Sequence, residues 1–265
     1  MRTIKRKPVA LDVANQIRAA ILDGGLVPGS KIDQDELAAE LGVSRLPVRQ
    51  ALLVLQREGL VFLDHGRGAL VAPLDIKFIS DLFDYRAVVD GYVAAVLAAR
   101  ENFDAGPLRH IVRAGREAAR RGESRRDLVM EFHTAQYEAV GNQVLVRLMK
   151  PLLDHVQRVV IFVQSSTSAA GAAGRKSLPG LRSQVETWDE HAEIVDAIAR
   201  RRVGRARALA KSHVERVKHV AVAYLVSAAP TRRGKSAPGQ RRRTRDTAIE
   251  AMPQFPVTFD STDIK

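Results

Sequence analysis

The chain has 265 residues, 46% of them hydrophobic, which is enough to fill the cores of one large or two ordinary domains. The absence of cysteine excludes disulfides, thiolate metal sites and cysteine nucleophiles. The net charge of +12 points to a polyanionic partner, yet the first 74 residues carry ten Lys/Arg against eight Asp/Glu, so bulk charge does not locate a nucleic-acid site. The densest apolar run, Val159 to Val163, is far too short to span a membrane, and the basic start lacks the apolar stretch of a signal peptide. A cytoplasmic protein is expected.

Composition divides the chain into 1–74, 75–226 and 227–265. In the first part Val9, Val13, Ile17 and Ile21 share one helical face, and Gly24-Gly25 ends that helix. Asp33 and Glu36 form a capping pattern that opens a second helix, running from Leu37 to Leu41. Gly42 permits a left-handed stop, and Ser44 caps a third helix two residues later, with Pro47 in its first turn and Val48, Leu52 and Leu55 inward. Two short helices across so tight a turn are a helix-turn-helix pattern. Arg45 and Arg49 lie one turn apart at the front of the third helix, away from its apolar face. A recognition helix presents that end to guanine N7 and O6. Leu60–Leu63 and Ala69–Ala72 then predict a small hairpin wing whose tip carries His65, Gly66 and Arg67, suited to phosphate or minor-groove contact.

From 75 to 226 the apolar spacing is helical almost throughout. His133 shares a face with Met130, Tyr137 and Val140. His191 shares one with Trp188, Ile194 and Ile198, and His213 one with Leu209, Val217 and Val220. Three imidazoles on inward faces of separate helices can converge on one divalent ion, such as zinc or nickel. Arg86 offers a fork for a carboxylate, or an intrahelical pair with Asp90. Asn142 either lines the same pocket or ends a helix after Gly141. Residues 165–184 read as a lid or a disordered insertion. The Pro/Gly/Ser/Arg-rich tail, with Arg241, Arg242, Arg243 and Arg245, reads as a disordered segment that either adds phosphate contacts or aids solubility.

The stretch from Leu26 to Val71 resembles the DNA-binding domain of GntR-family regulators through Pro28-Gly29, Leu37-Ala38, Ser44-Arg45, Pro47-Val48-Arg49, Ala51-Leu52, Glu58-Gly59-Leu60 and the glycine-flanked wing. That resemblance implies that Arg45 and Arg49 read bases while Ser44 and the wing touch backbone or minor groove. Some members carry a basic residue at the start of the second helix, where this chain has Gln34-Asp35-Glu36. The later part resembles the FCD domain of the FadR subfamily through Tyr85-Arg86 with Asp90, Phe132-His133 ahead of Gly141-Asn142, Glu190-His191 ahead of Ala197-Ile198, and His213. The resemblance implies a mainly α protein, a winged helix-turn-helix followed by an all-helical antiparallel bundle, with a central pocket for a divalent metal and a carboxylate effector. Metal-binding members place an aspartate one turn before the first histidine, where this chain has Val129. Asp127 and Glu131 point well off that face, so the expectation is a three-histidine site of reduced affinity or a metal-free polar pocket. The functional expectation is a homodimeric regulator on a palindromic operator, modulated by an organic acid and without enzymatic activity. The alternatives are a nonspecific architectural DNA-binding protein and a three-histidine hydrolase.

Overall fold

In the computed structural model, residues 9–64, 68–169 and 182–228 are described. The first helix, α1 (Val9–Leu22), buries Val13, Ile17 and Ile21 of the face expected from their spacing, while Val9 at its first position is 50% exposed. The helix-turn-helix follows as α2 (Gln34–Glu40) and α3 (Arg45–Arg57). Asp33 caps α2 by accepting from the amides of Asp35 and Glu36 at 2.9 and 3.2 Å. Gly42 takes φ +62° in the turn, a value that favours a residue without Cβ. Ser44 occupies the cap position of α3 in extended backbone, but its side chain makes no cap bond there, contrary to the capping role read from its spacing. Val48, Ala51, Leu52 and Leu55 of α3 close this core against α1.

The wing has one strand more than its sequence suggests. Strands β2 (Val61–Asp64) and β3 (Gly68–Val71) form the expected hairpin, with Val61 opposite Val71 and Leu63 opposite Ala69. The two-residue β1 (Lys31–Ile32) pairs with the other edge of β3, giving the antiparallel order β1-β3-β2. Two residues carry no legible period, so β1 exists through its pairing alone.

Six further helices are described: α4 (Ile76–Ala99), α5 (Gly106–Arg120), α6 (Arg126–Val140), α7 (Gln143–Ala169), α8 (Gln184–Ala199) and α9 (Val203–Ala228). α4 is buried over much of its length and packs most extensively on α9. Gly115 of α5 lies where a Cβ would sit 2.1 Å from the Trp188 ring, so α5 and α8 approach closely through a missing side chain. The segment expected as a lid or insertion begins as helix: α7 continues to Ala169, and Ser183 with Glu186 forms a capping box that starts α8. Residues 170–181, the wing tip at His65, Gly66 and Arg67, and the tail from 229 lie outside the described residues.

The winged helix-turn-helix and the later helices belong to one compact unit, Met1–Ala229. The link runs through α7, where His155 Nε2 lies 2.8 Å from the Glu58 carbonyl and the Ile161 side chain sits against Gly24. Also on α7, Arg158 is 2% exposed, and its Nε and Nη1 have no hydrogen-bond partner among the described residues. Burial brings its guanidinium down to about 10, and no carboxylate opposes that shift. A buried cation without a counter-charge opposes folding, and methionine can fill the same space without that cost. Arg158→Met is therefore expected to stabilise the protein by about 1–3 kcal/mol, read as a rise of several degrees in Tm by scanning calorimetry. A lower Tm would mean that the charge is paired in solution.

Candidate DNA-contact helix and effector pocket

The outward face of α3 is built by subtraction. With Val48, Ala51, Leu52 and Leu55 facing the core, Arg45, Leu46, Arg49, Gln50 and Leu53 are left to solvent. Arg45 and Arg49 thus stand together at the exposed front of the helix. Two features escape sequence reading. Leu46, between Arg45 and Pro47, is 63% exposed, an apolar surface on an otherwise cationic tip. Asp35, on the neighbouring helix α2, places Oδ1 2.8 Å from Arg45 Nε. An acid in the Gln34-Asp35-Glu36 start of α2 therefore engages the arginine that opens the next helix. No local pattern announces a contact ten residues apart across a turn.

The second site lies among the later helices. His133 from α6, His191 from α8 and His213 from α9 are all buried, and one ligating atom from each lies within 4.8 Å of the others. Their rings pack against one another, with centroids 5.3 Å apart for His133 and His191 and 4.6 Å apart for His191 and His213. Phe132 stacks on His191 at 4.3 Å and fixes its plane. His213 Nδ1 lies 2.8 Å from Glu190 Oε2, and Arg216 holds the same carboxylate. Glu190 is thus an orienting residue that pattern reading treated as part of a motif without a role. With Nδ1 so engaged, His213 turns Nε2 inward, 3.2 Å from His191 Nε2.

Arg86 enters the same cluster from α4. It is 2% exposed, with Nε 3.2 Å from Asp90 Oδ2 and Nη2 2.8 Å from His133 Nε2. The two readings open in the sequence therefore coexist: the guanidinium pairs with Asp90 and also faces the pocket. Burial disfavours its charge, but Asp90 and Tyr137 outweigh burial and hold it protonated. Tyr137 donates to the other Asp90 oxygen, Oδ1. Asn142 does not join the pocket. It is exposed, and its Oδ1 accepts from the amides of Val144 and Leu145 at 3.0 and 3.1 Å, capping α7 after the left-handed Gly141. A short polar side chain directly before a helix satisfies those amides locally, and that takes it away from the cavity.

Arg86 and the three histidines together line one part of a cavity of about 160 Å³, whose lining also includes Val129, Met130, Val160, Trp188 and Val217. No aspartate or glutamate lines it among the described residues. Burial pushes His133 and His191 well below the ordinary imidazole range, with Arg86 adding to the effect at His133 and His213 adding to it at His191. His213 is also lowered by burial, although Glu190 opposes the shift. Burial alone would raise Glu190, but its bonds from His213 and Arg216 bring it down to about 2. Neutral imidazoles are the ligand form, and a carboxylate on the far nitrogen is the usual means of orienting one. Among the described residues the buried Nδ1 atoms of His133 and His191 have no hydrogen-bond partner, that of His133 lying 3.9 Å from Asp90 Oδ2. The donor set fits a divalent ion held by three imidazoles and no carboxylate.

Two family profiles match the chain: the gntR family of bacterial regulatory proteins over residues 9–71, and the FCD domain over 81–216. A regulator from Streptomyces ambofaciens, described as an uncharacterized HTH-type transcriptional regulator in an unstable DNA locus, is 31% identical over 211 residues. That match spans 78% of this chain and 82% of the relative. The chain belongs to the GntR family, in its FCD-domain branch. The Glc operon transcriptional activator of Escherichia coli K12 is 27% identical over 81% of this chain and 89% of its own length. The solved structure of Escherichia coli McbR/YncC shares the fold at TM-score 0.64 with 16% identity, covering 86% of this chain and all of that one. This GntR chain is therefore a DNA-binding transcriptional regulator and not an enzyme, so the hydrolase reading falls. No described helix is long and apolar enough to cross a membrane.

For this regulator the depressed imidazoles set a pH dependence. Below about pH 6.5 an unfolded histidine takes up a proton that a buried neutral one refuses. Stability is thus full above that value and is lost as pH falls, by about 1.4 kcal/mol per pH unit for each such histidine. We expect Tm in chelator-containing buffer to drop between pH 7.5 and 5.5, and His191→Gln to flatten the slope. A Tm that is constant over this range would contradict burial of neutral imidazoles.

Proposed function

We propose that this chain is a sequence-specific repressor or activator whose operator affinity is set by a small organic acid bound at the histidine–Arg86 end of the cavity. The observation that carries the reading is the convergence of Arg86 and three neutral imidazoles on a cavity without lining carboxylates. A carboxylate entering there gains a guanidinium and imidazole donors and meets no like charge. His133, His191 and His213 would hold a divalent ion, which would supply a further positive centre for the acid's oxygens. Val129 offers no ligand, so an ion here is held more weakly than by a four-ligand set. Tag-free protein equilibrated with zinc is expected to retain about one ion per chain, and His133→Ala/His191→Ala none, by elemental analysis. Retention of no ion by the wild type would remove the metal and leave the acid site to Arg86 and the imidazoles.

On DNA, a homodimer would place two α3 helices on a palindromic operator. Asp35 steadies Arg45 through Nε and leaves its two terminal nitrogens for guanine N7 and O6. Arg49 supplies a second such fork, Leu46 an apolar contact for a thymine methyl, and Ser44 with His65, Gly66 and Arg67 the backbone and minor-groove contacts. The acid acts by binding one arrangement of the two heads better than the other, and it shifts operator affinity only by that difference. In anisotropy titrations on its own upstream region, the protein should discriminate operator from random duplex at physiological salt. Arg45→Ala/Arg49→Ala is expected to lose about 1–3 kcal/mol of discrimination per arginine. Equal affinity of wild type for both duplexes would instead favour the architectural reading.

A further inference from the structure

One wall of the cavity is a single face of α6, and its residues change character along the helix. Arg126, the first residue of α6, lines the cavity, followed by Val129 and Met130 one turn on and His133 two turns on. Seven residues of helix rise separate Arg126 from His133 by about 10 Å along the axis. This face thus runs from a cation at Arg126 through an apolar stretch to the neutral His133, against which α4 sets the Arg86 guanidinium.

The lining arginines differ in whether their charge is already answered. Arg86 is paired with Asp90, Arg125 with Asp127, and Arg182 and Arg216 with Glu190. Arg126 has no ion pair among the described residues, and its Nε is buried without a hydrogen-bond partner. An anion brought by a ligand would give this guanidinium a charge-assisted hydrogen-bonded partner.

We infer that the effector is an elongated acid with two anionic ends, one carboxylate at the Arg86–histidine end and a second carboxylate or phosphate on Arg126, joined by an apolar middle lying over Val129 and Met130. This rests on the acid-binding reading above and adds the second charge and the span. A short monocarboxylate would satisfy one end and leave Arg126 as it is. A long unsubstituted fatty acid would place its methyl end against a guanidinium.

Isothermal titration of the full chain with matched probes tests this: heptanoate, pimelate and 6-phosphonohexanoate. The two doubly charged probes should bind about tenfold tighter than heptanoate or better, as a charge-assisted hydrogen-bonded pair allows. Arg126→Gln should erase that gain and leave heptanoate binding unchanged, while Arg126→Lys retains part of it. A gain confined to pimelate or to the phosphono acid identifies the second group. If heptanoate binds as tightly as its doubly charged partners, or if Arg126→Gln weakens all three equally, the two-ended ligand is wrong and the acid site stands. If none of a broad set of organic acids binds the wild type, the acid-site reading falls with it.

Discussion

The helical part of this regulator is organised around the Arg86–Asp90 pair. A guanidinium on the buried face of α4 is tolerable because Asp90, one turn later, neutralises it and Tyr137 completes the carboxylate's bonding. With its charge so held, Arg86 can reach His133 and bring a polar centre into an otherwise apolar helical core. The histidines in turn remain neutral because burial and the nearby arginine both disfavour a second positive charge. Removing Asp90 would leave an unanswered cation beneath three imidazoles, and the pocket's chemistry would change throughout.

The path from pocket to DNA is short. α7 contributes Leu153, Val156, Val160 and Ile161 to the cavity, and the same helix meets the DNA-binding part. His155 touches the carbonyl of Glu58 at the end of α3, and the Glu58 side chain is bonded to Arg18 of α1. A ligand that moved α7 would therefore act on the end of α3, the proposed recognition helix, and on the helix that supports it. Arg158, buried on α7 without a counter-charge among the described residues, adds a destabilised group to that same element. An element that both sites touch is where a ligand's preference for one arrangement can be felt by the other.

The charge at the front of α3 is equally local. The net charge of +12 is spread along the chain, whereas the exposed front of α3 offers two arginines, one of them already engaged by Asp35. Such an exposed pair contributes little to stability in water. Its consequence is directional, because it restrains a flexible side chain before DNA arrives.

Much of this was legible in the chain itself. Spacing of apolar residues announced α1, α2 and α3, Asp33 and Gly42 marked their limits, and the faces of His133, His191 and His213 were correctly read as inward. These are local signals, set by helix period and by side chains that bond amides two or three residues away. Contacts between distant segments were not legible: β1 pairing with β3, Arg45 with Asp35, Glu190 behind His213, and the burial of Arg158. Asn142 shows the division at one residue, since two roles were open in the sequence and the nearby amides of α7 took its oxygen. Local periodicity decides which face a residue occupies, but which charges meet across that face depends on how whole helices pack, and that is settled in three dimensions.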